Sequence, residues 1–301
     1  MSAAGHVPKH YDATVRRLFR ALRFHGSPVI CSMKRKELER VTEKYVRSMK
    51  KYGNRIPGSF AVDDIHDLRV AYKKLRAFIR LVQQEQGATA LRLGNKLKKL
   101  YRAAGRVRDW QLFLQKVQAS VQEWQTTVPA FTSSVQQELF LAKEELVKRI
   151  EKTDWNKLIY DLTSHLPLLL RDASIRQFVN EKVAAIHLLQ MVAREEKDLH
   201  TTRKHLKDLI YVERLFQSDW GINFPFPAWQ QMAQIHDLAA RLGNYNDHCI
   251  TIAQLHACNA AALPDDEQQW RLQFLQTLEQ CAVMEKSMLI REIKALHLSF
   301  V

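Results

Sequence analysis

Residues 63–82 read DDIHDLRVAYKKLRAFIRLV, and the spacing within this stretch is helical, with one apolar and one cationic face. At about 100° per residue, Leu68, Ala71, Tyr72, Leu75, Phe78, Ile79 and Val82 gather on one broad arc. Such an arc is the apolar face of a helix that docks on neighbouring helices. His66, Arg69, Lys73, Arg76 and Arg80 fall within a separate arc of roughly 80°. Their three- and four-residue spacing sets like charges side by side, at a cost of about 0.2–0.5 kcal/mol per pair in an isolated helix. Asp63, Asp64 and Asp67 stand at the helix start, where they suit an N-cap and the positive end of the dipole. The stripe must find its negative charge elsewhere.

The same helical periodicity runs through most of the 301 residues, while glycine (9) and proline (8) are scarce. The chain therefore reads as all-α. Lys34 to Tyr52 is expected to be a basic helix ended by Gly53, with a loop through Pro57-Gly58-Ser59. The stripe helix follows and stops at Gly87. LRLGNKLKKLYRAA then presents Leu93, Leu97, Leu100 and Ala104 on one side and Lys98, Lys99 and Arg102 on the other. GRVRDW is expected to be a turn before the next apolar helix, and a long helix runs from about Ala130 to Lys152. Thr153 to Ala173 reads as the connection between halves. Helices continue to about Phe216, then from Ala228 to Leu242, from Asp247 to Ala262 and from Pro264 onward, with Trp220 to Pro227 irregular. The first 31 residues form a basic amphipathic extension in which Val15, Leu18, Phe19 and Leu22 oppose Arg16, Arg17, Arg20 and Arg23. The helical domain proper is 32–301, its halves about 32–152 and 174–301.

The net charge is +14, but residues 1–120 hold 27 Lys+Arg against 9 Asp+Glu, and the remainder holds 19 against 23. A local excess of this kind draws polyanions. No run resembles a secretory or membrane-spanning segment. Cys31, Cys249, Cys258 and Cys281 form no paired motif, so a reducing cytoplasm is the expected setting.

The stripe recurs. HDLRVAYKKLRAFIR at His66 has a counterpart in HTTRKHLKDLIYVER at His200, pairing His66, Arg69, Lys73, Arg76 and Arg80 with His200, Arg203, Lys207, Ile210 and Arg214. Downstream, AAGRVRDW pairs with RLGNYNDH, so Gly105 and Asp109 correspond to Gly243 and Asp247. The plain reading of these glycines and aspartates is a C-cap followed by an N-cap. A solvated surface has no need to repeat cation spacing in two diverged halves, so the stripes are read as functional.

The signature HxxRVxxxxLR at His66–Arg76, its second His-led copy, and the Gly-xxx-Asp turn after each resemble the CHAD domain, the conserved histidine α-helical domain, over about residues 32–301. The resemblance implies two pseudo-symmetric helical bundles with a basic central groove or channel that binds inorganic polyphosphate. It implies binding residues His66, Arg69, Lys73, Lys74, Arg76 and Arg80, with His200, Arg203, Lys207 and Arg214 from the second copy. Lys98, Lys99, Arg102 and Arg108 join the candidates. Asp208, Ile210 and Asn246 stand where the pattern would be basic, so the second half is expected to bind more weakly.

Polyphosphate calls for several cations along a line. His66 to Arg80 spans about 21 Å of helix axis, enough for several phosphate units. Arginine grips phosphate in a bidentate way and lysine acts as a point charge. The expectation is a non-catalytic polyphosphate binder without a cofactor, in the cytoplasm or on polyphosphate granules. The alternative is non-specific RNA or single-stranded DNA binding, against which stands the lack of aromatic stacking platforms on the stripe arc. No GxxxxGK[ST], HExxH or GxSxG motif is present, and the ExExK pattern of triphosphate-processing relatives is approached only by Glu37-Leu38-Glu39-Arg40-Val41. Two helical histidines surrounded by arginines make a poor zinc site, so no metal is expected.

Overall fold

The computed structural model describes residues 32–85, 88, 91–220, 232–259 and 262–300. The basic leader, Gly87, most of the segment read as irregular and the start at Ala228 lie outside them. The described residues form α1 (Arg35–Ser59), α2 (Val62–Val82), α3 (Asn95–Glu123), α4 (Pro129–Glu151), α5 (Trp155–Thr163), α6 (Asp172–Val192), α7 (Glu196–Arg214), α8 (Met232–Ala257) and α9 (Asp265–Ala295). A π-helical turn, Leu215–Trp220, extends α7. Two residue pairs, Met33 with Leu170 and Lys34 with Leu169, make an antiparallel ladder from β1 (Met33–Lys34) and β2 (Leu169–Leu170). It ties the start of α1 to the start of α6.

In each half, consecutive helices pack as neighbours: α1 on α2, α2 on α3 and α3 on α4, then α6 on α7, α7 on α8 and α8 on α9. The halves meet where α2 packs on α7 and α3 on α8. All seven residues of the apolar arc are buried, with Leu75 and Val82 wholly inaccessible. One core cluster runs through both halves, joining Val46, Leu75 and Leu100 to Val183, Leu206, Leu242 and Ile293. A smaller aromatic cluster, with Phe113, Phe131, Trp270 and Phe274, packs the far ends of α3, α4, α8 and α9.

Three boundaries differ from the sequence reading, each for a physical reason. Gly53 does not end α1; it is buried against Trp155, whose Cζ2 would lie 3.1 Å from an added Cβ. The helix runs on through Pro57 and ends at Phe60, which takes the left-handed conformation at φ 50°. Gln111 Nε2 of α3 donates to the Phe60 carbonyl at 2.9 Å and holds that turn. GRVRDW is no turn but the middle of α3, and Leu242 to Asp247 is likewise interior to α8. Gly105 and Gly243 therefore cap nothing, nor do Asp109 and Asp247. At the last helix, Pro264 is the N-cap and Asp265, Asp266 and Glu267 fill the first turn, where the dipole favours them.

Candidate functional site

α2 presents its cations toward α7 and α3, because its apolar arc is committed to the core. Mutual repulsion runs as a chain across the seam between halves. Lys73 has its ammonium pushed down to about 7, first by burial and then by Arg69, Arg203, Arg76 and Lys207. Two of those four charges come from α2 and two from α7. Lys207 is lowered by burial and by Arg203 and Arg214. Lys204 is lowered by burial and by Arg76 and Arg80 across the seam. The two stripes thus converge on Lys73 rather than pointing apart.

Among the described residues, Arg69, Lys73, Arg76, Arg108, Arg203, Lys207 and Arg214 make no ion pair. Three of their nitrogens, Arg76 Nε, Arg108 Nη1 and Arg203 Nε, are buried without a hydrogen-bond acceptor. Buried donors left unpaired cost about 1–3 kcal/mol each, more when charged. Such a cost stands as an open demand for an anion. Arg80 is the exception on the stripe: it donates to Asp208 Oδ2 at 2.8 Å, and Lys182 approaches the same oxygen at 3.7 Å.

Aromatic rings hold the arginines in place. Tyr72 of α2 and Tyr101 of α3 stack with centroids 4.1 Å apart. The Arg69 guanidinium lies 5.0 Å from the Tyr101 centroid, and that of Arg76 lies 5.9 Å from Tyr72 and 6.0 Å from Tyr101. A cation over a ring face gains about 0.5–2 kcal/mol, which offsets part of the repulsion among the arginines. Tyr211 of α7, half-buried, faces Arg203, Tyr101, Arg214 and Arg76.

The glycines read as caps serve the arginines. An added Cβ at Gly105 would overlap Arg69 Nη1, and one at Gly243 would lie 3.3 Å from Arg203 Nη2. Asp109, one turn beyond Gly105, has its carboxyl raised by burial; Arg69 opposes that shift and Asp247, facing it from α8, adds to it.

The histidines occupy one end of each stripe. Burial pulls His66 below its ordinary value, and Arg108 and Lys73 push the same way. Burial and Lys204 lower His200, whose Nδ1 lies 2.9 Å from Asn246 Oδ1. Asn246 stands where the first half has Arg108, so one half sets a cation beside its histidine and the other an amide.

Of the remaining candidates, Arg102 is exposed on α3 and close enough to Tyr72 to act on its hydroxyl. Lys98 and Lys99 are exposed on the first turns of α3, and Lys74 is part-buried on α2. Arg214 is exposed at the end of α7. Sequence reasoning missed Lys204, whose counterpart in the first copy is Val70, although it sits one turn beyond His200. It also missed Tyr101 and Tyr211, which the repeat does not share, and His236 of α8, which burial, Arg214 and Lys207 lower.

No helix of the described residues is long and apolar enough to cross a membrane. Among curated proteins, none matches this chain. In fold it is similar to the crystal structure of the CHAD domain from the plant Ricinus communis, with a TM-score of 0.66 and 12% identity over 92% of this chain and 98% of that one. The family model of the CHAD domain matches residues 40–256, and with two His-led repeats on facing helices inside that range, the chain belongs to the CHAD domain family.

Proposed function

We propose that the cationic cluster binds inorganic polyphosphate, without catalysis, in a central groove where the two stripes face each other. The observation that carries this reading is the convergence of Arg69, Arg76, Arg203 and Lys207 on Lys73, with no carboxylate among the described residues paired to any of them. A thin, multiply charged chain supplies acceptors to several guanidiniums at once and relieves their mutual repulsion. Arg69, Lys73 and Arg76 from the first half and Arg203, Lys204 and Lys207 from the second are the principal contacts. His66, Arg108 and His200 line the approach, with Tyr101 and Tyr211 beside the arginines. Lys98, Lys99, Arg102 and Arg214 extend the positive field outward.

Family membership supports the same ligand class. The tyrosines do not favour nucleic acid: the Tyr101 ring is taken up by Tyr72 and Arg69, so it offers a base no open platform. The protein works in this reading as a binder in the cytoplasm or on polyphosphate granules. A competition titration at physiological salt tests it, with polyphosphates of defined length against tRNA and single-stranded DNA. Polyphosphate should displace both at lower concentration, with affinity falling steeply as salt rises. Equal or stronger binding of the nucleic acids would overturn the assignment.

A further inference from the structure

The repeated Gly-x-x-x-Asp motif has no role as a cap, yet both copies keep glycine in the middle of a long helix, where it is among the weakest helix formers. Neither glycine has a left-handed backbone that would require it. What the two positions share is an arginine from the facing stripe. On α3, Tyr101, Gly105 and Asp109 lie four residues apart on one face. Arg69 crosses this face, its guanidinium over the Tyr101 ring at 5.0 Å and its Cζ 3.4 Å from where a Gly105 Cβ would stand. On α8, a Gly243 Cβ would stand 3.3 Å from Arg203 Nη2 and 3.4 Å from its Nε. That Nε is one of the buried donors without an acceptor. Two helices, in corresponding places, carry no side chain where an arginine passes.

We infer that Gly105 and Gly243 are positioning residues, each holding open a socket through which one arginine of the repeat reaches the polyanion. The inference rests on the polyphosphate reading and specifies how two of its arginines are aimed. A methyl group at Gly105 meets only the far end of a flexible side chain, so the fold accommodates it by moving the guanidinium aside. The first socket is the stricter: at Gly243 the neighbour has to give by only a few tenths of an ångström.

The test is a double-mutant cycle on the full chain, titrated calorimetrically with long-chain polyphosphate at fixed salt, using Gly105→Ala, Arg69→Gln and the pair combined. Each single change should weaken binding about tenfold, the scale of one charge-assisted hydrogen bond. The combined variant should bind no more weakly than Arg69→Gln, since the methyl then has no arginine to displace. Gly105→Ala should melt at or above the wild-type temperature, because alanine favours the helix. Gly243→Ala should lose less affinity, and with Arg203→Gln it supplies the same cycle if Gly105→Ala fails to fold. Wild-type binding by Gly105→Ala alongside weakened Arg69→Gln overturns the socket, as do losses that add in the combined variant. Wild-type binding by Arg69→Gln would instead refute the ligand assignment for the stripe, and the socket with it.

Discussion

Raising the pH should weaken polyphosphate binding, chiefly through Lys73. Lys73 of the empty protein gives up its proton near pH 7, pushed there by burial and by Arg69, Arg203, Arg76 and Lys207. A bound polyanion reverses that balance and restores the charge, so binding takes up a proton wherever the empty site has lost one. With Lys73 charged throughout in the complex, the affinity lost between about pH 6.5 and 8.5 is about 25-fold, and uptake near pH 8 approaches about 0.9 proton per site. His66 and His200 lie below their ordinary 6.5 in the empty protein, and a polyanion that restores their charge adds to the uptake at pH values above those at which the empty site loses them. The folding term has its own sign: Lys73 titrates lower in the folded chain than in the unfolded one, so its contribution to stability rises from about pH 7 to 10.5. Calorimetry in buffers of different ionisation enthalpy measures the uptake directly. Lys73→Met should flatten the pH dependence, and Lys73→Arg should flatten it while keeping tight binding at high pH. An unchanged slope in Lys73→Met, or no proton uptake by the wild type at pH 8, would rule out Lys73 as the titrating group.

Three further outcomes follow from the packing. Arg69→Glu with Arg76→Glu should abolish measurable polyphosphate binding at physiological salt while the melting temperature stays within a few degrees of wild type, because relief of repulsion offsets the lost ring contacts. Asp208→Asn should release Arg80 and tighten polyphosphate binding by a few-fold. It should also destabilise the fold by about 3 kcal/mol, since Lys182 and Arg80 lose a buried partner; titration and denaturant unfolding read the two effects separately. Phe131→Ala should remove about 3–5 kcal/mol of stability by emptying the aromatic cluster shared with Phe113 and Trp270, and the protein that remains folded should bind as wild type.

The repeat and the helical period were legible because both are written in side-chain spacing. The stripe helix kept its apolar face buried as its pattern required, and Pro264 marked the start of α9. The glycines were misread because a mid-helix glycine followed four residues later by aspartate has the same local signature as a C-cap and an N-cap. Only the partner, an arginine from a helix about forty residues earlier, separates the two cases. Gly53 failed in the same way, its reason being Trp155 about a hundred residues on. Tyr72 was rightly placed on the core face, but a helical wheel cannot show that its ring also stacks on Tyr101 and lies near Arg76. Lys204 escaped because comparing two copies rewards agreement, and here the seam is completed by a residue the first copy lacks.

The apolar cluster that threads α2 and α7 together carries a consequence for dissection of the molecule. Cutting the polypeptide in the α5 region would lay bare on each fragment the surface its sibling now covers. Co-expressed fragments are therefore expected to recover the fold only as a complementation pair, and neither alone would retain more than a fraction of the charge that surrounds Lys73.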